Sequence, residues 1–157
     1  MKTAHSMIAA LGLAFVLPAP ADAATTDPEV IIYRFPGVRD NAAGTDTGVA
    51  TVFNCTNFSG VTENIRIVTR DRNGTLLSNV MSALAHLATT VASTHDTLAY
   101  TFELNLGTGS LSGGTTAIAA TSVNVICTAM VIDASTTAPV GVALRGIRFN
   151  PVPGSQE

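Results

Sequence analysis

Residues 121–134, Thr-Ser-Val-Asn-Val-Ile-Cys-Thr-Ala-Met-Val-Ile-Asp-Ala, are the longest run of strand-forming residues in the chain. In an extended strand, one face of residues 123–131 would carry only apolar side chains: Val123, Val125, Cys127, Ala129 and Val131. The other face alternates polar with apolar side chains. A strand of this kind is typical of the interior of a sheet. The run therefore predicts a central strand in an all-β protein.

Residues 1–23 have the parts of a secretory signal peptide. Lys2 gives a positive start, residues 7–17 are apolar, and Ala-Asp-Ala ends the segment as a small-x-small cleavage signal. The apolar part is about half of the ~20 residues that span a bilayer, which argues against a membrane anchor. We therefore predict cleavage after Ala23 and export of residues 24–157 as one domain, to the periplasm, the cell surface or the medium.

The composition excludes several classes of function. Charged residues make up 12% of the chain and the formal net charge is −3, so the basic surface that nucleic-acid binding requires is missing. Lys2 is the only lysine, so an exported chain would have none for Schiff-base or isopeptide chemistry. The abundance of small, uncharged polar residues indicates an exported β domain.

The two cysteines, Cys55 and Cys127, lie in two similar apolar runs. In an exported chain they are most simply explained by one disulfide, and two buried free thiols are the alternative. Closing a loop of about 70 residues would stabilise the fold by about 4 kcal/mol, because it restricts the unfolded chain. No Cys-x-x-Cys motif is present, which indicates a structural bond rather than a redox catalyst.

Extended runs separated by turn residues predict roughly seven or eight strands. They cover residues 30–35, 49–56, 62–70, 75–80, 88–93, 98–106, 121–134 and 141–149. Asn73-Gly74 is typical of a hairpin turn. We predict an antiparallel, immunoglobulin-like β-sandwich in which the disulfide joins the two sheets. The tryptophan that packs on this bond in immunoglobulin domains is missing. A jelly roll or a small barrel is the alternative.

Other segments are assigned from weaker patterns. Pro36-Gly37 is expected to end the first strand, residues 81–87 to form a crossover or one helical turn, and residues 107–116 to form a flexible loop. In the last predicted strand, residues 141–149, the apolar side chains change from even to odd positions near Arg145-Gly146. A β-bulge there would turn four apolar side chains to the core: Val142, Leu144, Ile147 and Phe149.

His86, His95 and Asp96 are the first candidates for a ligand or metal site. Metal sites usually combine three or four such side chains, but these have no ligand spacing, so we predict neither a metal nor a cofactor. The preferred interpretation of residues 93–97 is a polar turn between strands. Glu63, Arg66 and Arg70 are expected on the solvent face of residues 62–70.

The two arginines, Arg66 and Arg70, could bind an anion, but such side chains more often form a solvated face that prevents edge pairing. Residues 109–113, Gly-Ser-Leu-Ser-Gly, are not the Gly-x-Ser-x-Gly motif of hydrolases, since Ser110 stands where the first glycine is needed. No two carboxylates stand in a sequence pattern that indicates a catalytic pair. We predict no catalytic residue.

Four short segments resemble a group of small exported β-sandwich proteins of proteobacteria. They are Cys-Thr-Asn-Phe-Ser-Gly at 55–60, Ala-Ala-Thr-Ser at 119–122, Cys-Thr-Ala at 127–129 and Arg-Phe-Asn-Pro at 148–151. The resemblance covers most of the exported chain and implies export and a single compact domain. No activity is established for that group, so the resemblance implies no site residues.

The sequence leaves two main hypotheses of function, and an enzyme is a third, less favoured one. The first is a non-enzymatic structural or interaction module that binds a protein partner, or assembles with itself, by strand addition. Residues 24–29 or the C-terminal tail would be the donor strand. The alternative is a protein that binds a small ligand or a metal through His86, His95 and the arginines of residues 62–70.

Overall fold

The computed structural model describes residues 28–149, which form ten β-strands and no helix. The strands are β1 (Val30–Asp40), β2 (Val49–Asn57), β3 (Glu63–Asp71), β4 (Leu76–Leu84), β5 (Thr89–Ser93), β6 (Leu104–Asn105), β7 (Leu111–Ala120), β8 (Val125–Asp133), β9 (Gly141–Leu144) and β10 (Ile147–Arg148). The predicted signal peptide and the C-terminal tail lie outside the described residues.

The strands form two five-stranded sheets. Sheet 1 has the order β10-β1-β7-β3-β4, and its neighbours are all antiparallel. Sheet 2 has the order β6-β5-β2-β8-β9 and is antiparallel except for the parallel pair β5–β6. The predicted all-β class is therefore confirmed. The strands number ten rather than seven or eight, and two of them, β6 and β10, have only two residues each.

Aromatic and branched side chains from both sheets fill the space between them. Phe35 of β1 meets Phe53 of β2 edge to face, with 5.7 Å between ring centroids, and stacks on Tyr33 at the same distance. Ile67 and Ile118 complete the sheet 1 side of this core. Each such side chain contributes roughly 1.5–3 kcal/mol when it is removed from water.

The prediction of a central strand at residues 121–134 is confirmed for β8. This strand lies between β2 and β9. Val125, Cys127 and Ala129 are buried as predicted, and Ile126 and Thr128 point outwards. Val131 is only partly buried and Val123 is 38% exposed, so the predicted apolar face is wrong at its two ends. Residues 121–124 form the turn before the strand.

The disulfide Cys55–Cys127 is present, but it does not join the two sheets. Cys55 of β2 and Cys127 of β8 are directly opposed neighbours in sheet 2, with 4.1 Å between their Cα atoms. This is close to the ~4.5 Å of a non-hydrogen-bonded antiparallel pair. The predicted inter-sheet bond is therefore wrong. Alternation places a cysteine on the inner face, but it does not tell whether its partner lies across the core or on the next strand.

Residues 98–106 were predicted to be a strand, and this prediction is wrong except at β6. The segment instead crosses the outer face of sheet 2, where the Leu98 N–H donates to the Ala134 carbonyl at 2.9 Å. Ala99 and Tyr100 pack there on a small apolar cluster formed by Ala50, Val52, Ile132 and Ala134. The alternating apolar residues of this segment do not share one face: Tyr100 packs on this cluster, Leu106 is buried in the core between the sheets, and Phe102 is 89% exposed.

The prediction of a flexible loop at residues 107–116 is also wrong. Most of that segment belongs to β7, which lies between β1 and β3 at the centre of sheet 1. A Cβ atom at Gly114 would collide with the Arg70 carbonyl oxygen of β3, so glycine permits a close backbone approach there. From the sequence alone, the glycines of this segment indicate flexibility. In the structure, Gly114 instead allows the backbones of β7 and β3 to pack closely.

Two further strands are longer than predicted. β4 continues to Leu84, which pairs with Glu63, so sheet pairing overrides the helical preference of residues 81–87. β1 continues past Pro36-Gly37 to Asp40, because Gly37 adopts a φ of 83° at a register shift between Pro36 and Val38. The shift is a bulge that lets the strand continue.

The chain changes sheets at Arg145-Gly146. β9 pairs with β8 in sheet 2, and β10 pairs with β1 in sheet 1. Gly146 lies against the Phe35 ring so closely that a Cβ atom would collide with it. The predicted bulge is therefore wrong, and three of the four apolar side chains expected in the core are exposed: Val142, Ile147 and Phe149.

Candidate functional site

His95 lies in a buried polar cluster at one end of the sandwich. Its Nδ1 is 2.9 Å from Oδ2 of Asp40, and its Nε2 is 3.0 Å from the Thr47 carbonyl oxygen. Asp40, the last residue of β1, is only 2% exposed. Its carboxylate also accepts the Thr108 hydroxyl at 3.2 Å and the Ala42 N–H at 2.6 Å. The cluster thus ties the end of β1 to three loops.

The hydrogen-bond partners of His95 determine what the ring can do. A carbonyl oxygen only accepts hydrogen bonds, so Nε2 must donate to Thr47. Neither ring nitrogen therefore offers a lone pair to a substrate or a metal. Ser110 and Ser112 line a cavity of about 260 Å³ that also contacts Asp40, but this is not a Ser-His-Asp triad, because Nε2 is bound to Thr47.

The structure does not bring His86 to His95. His86 lies before β5 and its Nδ1 accepts the Gly60 N–H at 3.0 Å, whereas His95 lies after β5. The five residues of β5 correspond to about 17 Å. Asp96 lines a different cavity of about 420 Å³ with Asp46 and Glu103. Within residues 28–149, no group of three His, Cys, Asp or Glu side chains could hold a metal ion.

Arg66 is engaged by neighbouring side chains. Its Nε and Nη2 donate to the two carboxylate oxygens of Glu29 at 2.6 and 3.2 Å. These hydrogen bonds and the charge of Glu29 raise the pKa of Arg66 above its ordinary value. The same guanidinium contacts Oδ1 of Asn79 at 3.1 Å and Sδ of Met81 at 3.4 Å, both on β4. Arg66 therefore contacts two side chains of the neighbouring strand, β4.

The remaining candidates do not converge on a common ligand. Arg70 donates to the Gly74 carbonyl at 2.9 Å within its own hairpin. Glu63 was expected on the solvent face but is fully buried, because it shares the parity of Ile65 and Ile67. Thr121 donates its hydroxyl to one oxygen of the Glu63 carboxylate. The structure thus shows no anion site formed by these side chains.

The feature that sequence reasoning missed is the edge strand β4. It has nine residues and pairs with β3 on one side, and no described strand pairs with it on the other. β4 contains neither a charged residue nor a proline. The other outermost strands, β6, β9 and β10, have two to four residues. β4 could be recognised only once its full length was known, because its second half reads as a helical segment.

The backbone groups that β4 presents outwards follow from the bonding of β3. The Thr121 N–H donates to the Asn64 carbonyl at 3.1 Å, so the Asn64 backbone points away from β4. Since backbone groups alternate sides along a strand, Ile65 and Ile67 point towards β4 and bond to its facing residues, Ser82 and Val80.

The residues of β4 that alternate with these, Asn79, Met81 and Ala83, present their N–H and C=O groups to the outside. Their side chains lie on the outer face of sheet 1, and all three are exposed. Met81 is 53% exposed. The edge thus combines unpaired backbone donors and acceptors with an exposed apolar side chain, which suits the addition of another strand.

Comparisons with known proteins add little to this geometry. No protein-family model matches the chain, and no curated protein matches it. A crystal structure of Thermotoga maritima 1070 is similar, with 10% sequence identity, coverage of 73% of this chain and 92% of that chain, and a TM-score of 0.49. A likeness at this level supports no argument about function, and the resemblance to exported proteobacterial proteins stays a prediction. Residues 28–149 contain no helix able to cross a membrane.

Proposed function

We propose that this protein is an exported, non-enzymatic interaction module that binds a partner polypeptide by strand addition to β4. The observation that carries the proposal is the nine-residue edge of sheet 1, which is uncharged and unpaired on its outer side among the described strands. In strand addition, main-chain hydrogen bonds supply affinity and alternate side chains supply specificity.

The edge lacks the devices by which proteins usually prevent such pairing. Short edge strands, lysines, prolines and bulges keep sheet edges from binding other chains. Three of the four outermost strands are short, but β4 is long and has a register shift only at its first residues, opposite Thr69 and Arg70. Retaining such an edge on an exported protein is consistent with a binding function.

Export is supported by the disulfide, since bonds of this kind persist in oxidising compartments. We propose the periplasm or the cell surface as the location of the exported protein. The immunoglobulin-like assignment is also a proposal, and the two packed sheets support it in architecture only. The disulfide within sheet 2 differs from the inter-sheet bridge of antibody domains.

The small-ligand or metal-binding alternative has less support. It would need His86 and His95 in one site, and the two side chains lie on opposite ends of β5. It would also need an available guanidinium on β3, whereas Arg66 is paired with Glu29. We therefore advance the interaction module alone.

The proposal can be tested by photo-crosslinking in the exporting cell. A benzophenone amino acid would replace Met81 on the β4 edge or, as a matched control, Val142 on the edge of sheet 2. We expect position 81 to give one adduct of defined mass that mass spectrometry identifies, and position 142 to give none. Asn79→Pro, which removes an outward N–H without removing a bond to β3, should abolish the adduct. Equal labelling at both positions, or none at 81, would contradict the proposal.

A further inference from the structure

We infer that the strand added to β4 is β4 of a second copy of this chain, antiparallel and centred on Val80. This inference rests on the proposed function and names its partner. The two copies would be related by a two-fold axis through the Val80 pair, and sheet 1 would continue from one copy into the other as a ten-stranded sheet. Such an interface is isologous, because the same residues contribute from both copies.

The backbone of β4 is its own complement in this register. Asn79 of each copy lies opposite Met81 of the other, and both residues present their backbone groups outwards. Each of these two pairs forms about two hydrogen bonds. The regular part of the ladder ends at Ser78, because Leu77 lies at the register shift of β4. A shift by one residue would place inward-facing groups opposite outward-facing ones. The alternation of β4 therefore restricts the register of a self-pair.

A buried hydroxyl provides an independent argument for this register. Ser78 is 6% exposed, and its Oγ has no hydrogen-bond partner among the described residues. In the pairing centred on Val80, Ser82 of the second copy lies directly opposite Ser78, on the same inner face. Cross-strand serines and threonines at such positions hydrogen-bond to each other. The second copy would thus satisfy a buried polar atom that the single chain leaves unpaired.

Charges oppose the pairing only weakly. β4 itself is uncharged. The Arg66 guanidinium of β3 reaches over β4 to Asn79 and Met81, so the guanidinium groups of the two copies would lie near the interface. Each is paired with the Glu29 carboxylate of its own copy, which offsets its charge and limits the repulsion between the copies.

The two terminal segments of the chain fit the β4 edge less well as added strands. Glu29, at the end of the segment 24–29, is held by Arg66 on the outer face of sheet 1. The C-terminal segment 150–157 contains Pro151 and Pro153, which have no N–H to donate to a ladder. A second β4 has no proline and matches the edge in length. This difference favours the second copy over both terminal segments.

A register-specific disulfide tests the inference on the full exported protein. In Val80→Cys, the two thiols would face each other across a non-hydrogen-bonded pair, the geometry that Cys55 and Cys127 already have. We expect a covalent dimer under oxidising conditions, with the Cys55–Cys127 bond intact by peptide mapping. Ser82→Cys is the matched control, because its thiols would lie four residues apart along the strands, about 13 Å, and cannot bond.

Sedimentation equilibrium of the protein without added cysteines provides a second measurement. We expect a reversible dimer, and we expect Met81→Lys to raise its dissociation constant at least tenfold, because like charges would meet on one face of the joined sheet. Val142→Lys adds the same charge to the edge of sheet 2 and should leave the constant unchanged. A protein that stays monomeric, with Val80→Cys also uncrosslinked, would overturn the inference. If the adduct at position 81 then contains a different polypeptide, the proposed function stands without it.

Discussion

Gly113 and Gly114 are neighbours in β7 with different surroundings. A Cβ atom at Gly114 would collide with the Arg70 carbonyl oxygen, whereas a Cβ atom at Gly113 would meet no atom within 4 Å. We expect Gly114→Ala to lower the free energy of unfolding by about 1–3 kcal/mol, because the β3 backbone must move. Gly113→Ala should change it by less than about 0.5 kcal/mol. Urea unfolding measures both, and equal effects would show that close approach is not the reason for Gly114.

Asp40 is the centre of the polar cluster around His95. In Asp40→Ala, His95, the Thr108 hydroxyl and the Ala42 N–H all lose a hydrogen-bond partner in a mostly buried site. We expect a loss of about 2–4 kcal/mol in unfolding free energy. Asp96→Ala removes a neighbouring carboxylate that lines an open cavity and should have little effect. If the two variants were equally stable, the cluster would not hold the loops as described.

The sequence identified one half of that cluster and not the other. His95 drew attention as a rare histidine beside an acid, but the acid it contacts is Asp40, 55 residues away, and not its neighbour Asp96. Asp40 lies beyond Pro36-Gly37, which was expected to end the first strand, so Asp40 was not placed on a strand. The sequence pattern identifies candidate side chains along the chain, but it does not show which distant side chains the fold brings into contact.

The disulfide is best considered together with the strands that carry it. β2 and β8 share nine residue pairs, so their pairing does not depend on the bond. We expect Cys55→Ala/Cys127→Ala to keep its far-ultraviolet circular dichroism and to lose about 4 kcal/mol of stability, because the unfolded chain is no longer constrained.

Thermal unfolding with and without a reductant checks this prediction. Reduction should destabilise the protein with the disulfide and leave the double alanine variant unchanged. A double variant that lost its strand content would show that the bond is needed to align β2 with β8.

The β3–β4 hairpin depends on an ionised carboxylate. Oδ1 of Asp71 accepts the N–H groups of Thr75 and Asn73, each at 2.8 Å. The hydrogen bond from Thr75, followed by the others, lowers the pKa of Asp71 below its ordinary value of 3.8. The carboxylate therefore stabilises the hairpin fully above the ordinary value, and this stabilisation is lost as the pH falls through the lowered pKa.

This pH dependence can be followed by the hydrogen exchange of the Thr75 amide. We expect its protection to fall only in the acidic range below pH 3.8. Asp71→Asn, which cannot titrate, should remove the dependence. An Asp71 carboxyl that titrates at or above its ordinary value by nuclear magnetic resonance would contradict the prediction.

Elements were predictable where local pattern and tertiary contacts agree. β2, β3 and β8 are rich in strand-forming residues and are bounded by turn residues, and the Asn73-Gly74 turn was correctly identified. β7 was missed because its glycines serve backbone contact with β3. The apolar residues of 98–106 alternate in the sequence, but Tyr100 packs on the outer face of sheet 2, Leu106 is buried in the core, and Phe102 is 89% exposed. Alternation along the chain therefore does not by itself establish a strand.

At the scale of the whole molecule, the sequence was sufficient for the all-β class and for the pairing of the two cysteines, but not for the assignment of strands to sheets. The edge position of β4 depends on that assignment, so the proposed binding edge could not be found from the sequence. A segment of uncharged residues is predicted to be a buried strand or a helix until the strands beside it are known. The candidate site therefore arises from topology rather than from a motif.

The predicted leader also leads to an expectation for the whole molecule. The exported protein should have the mass of residues 24–157 less two hydrogens, because cleavage follows Ala23 and the disulfide is closed. Denaturing mass spectrometry of protein secreted by its host measures this value. A mass that retains residues 1–23 would contradict the cleavage site, and a mass with both hydrogens would contradict the bond.

The pairing of β10 with β1 has a consequence for how the protein can be tethered. Residues 33 and 148 are directly paired, so the described chain begins and ends at one corner of sheet 1. β4 is the opposite border of that sheet, four strand spacings or about 19 Å away. A label, a surface anchor or a fused domain joined after β10 would therefore start from the border of sheet 1 opposite β4. In a two-fold assembly through β4, the β10 strands of the two copies would lie at opposite borders of the joined sheet, so that one dimer could join two anchored surfaces.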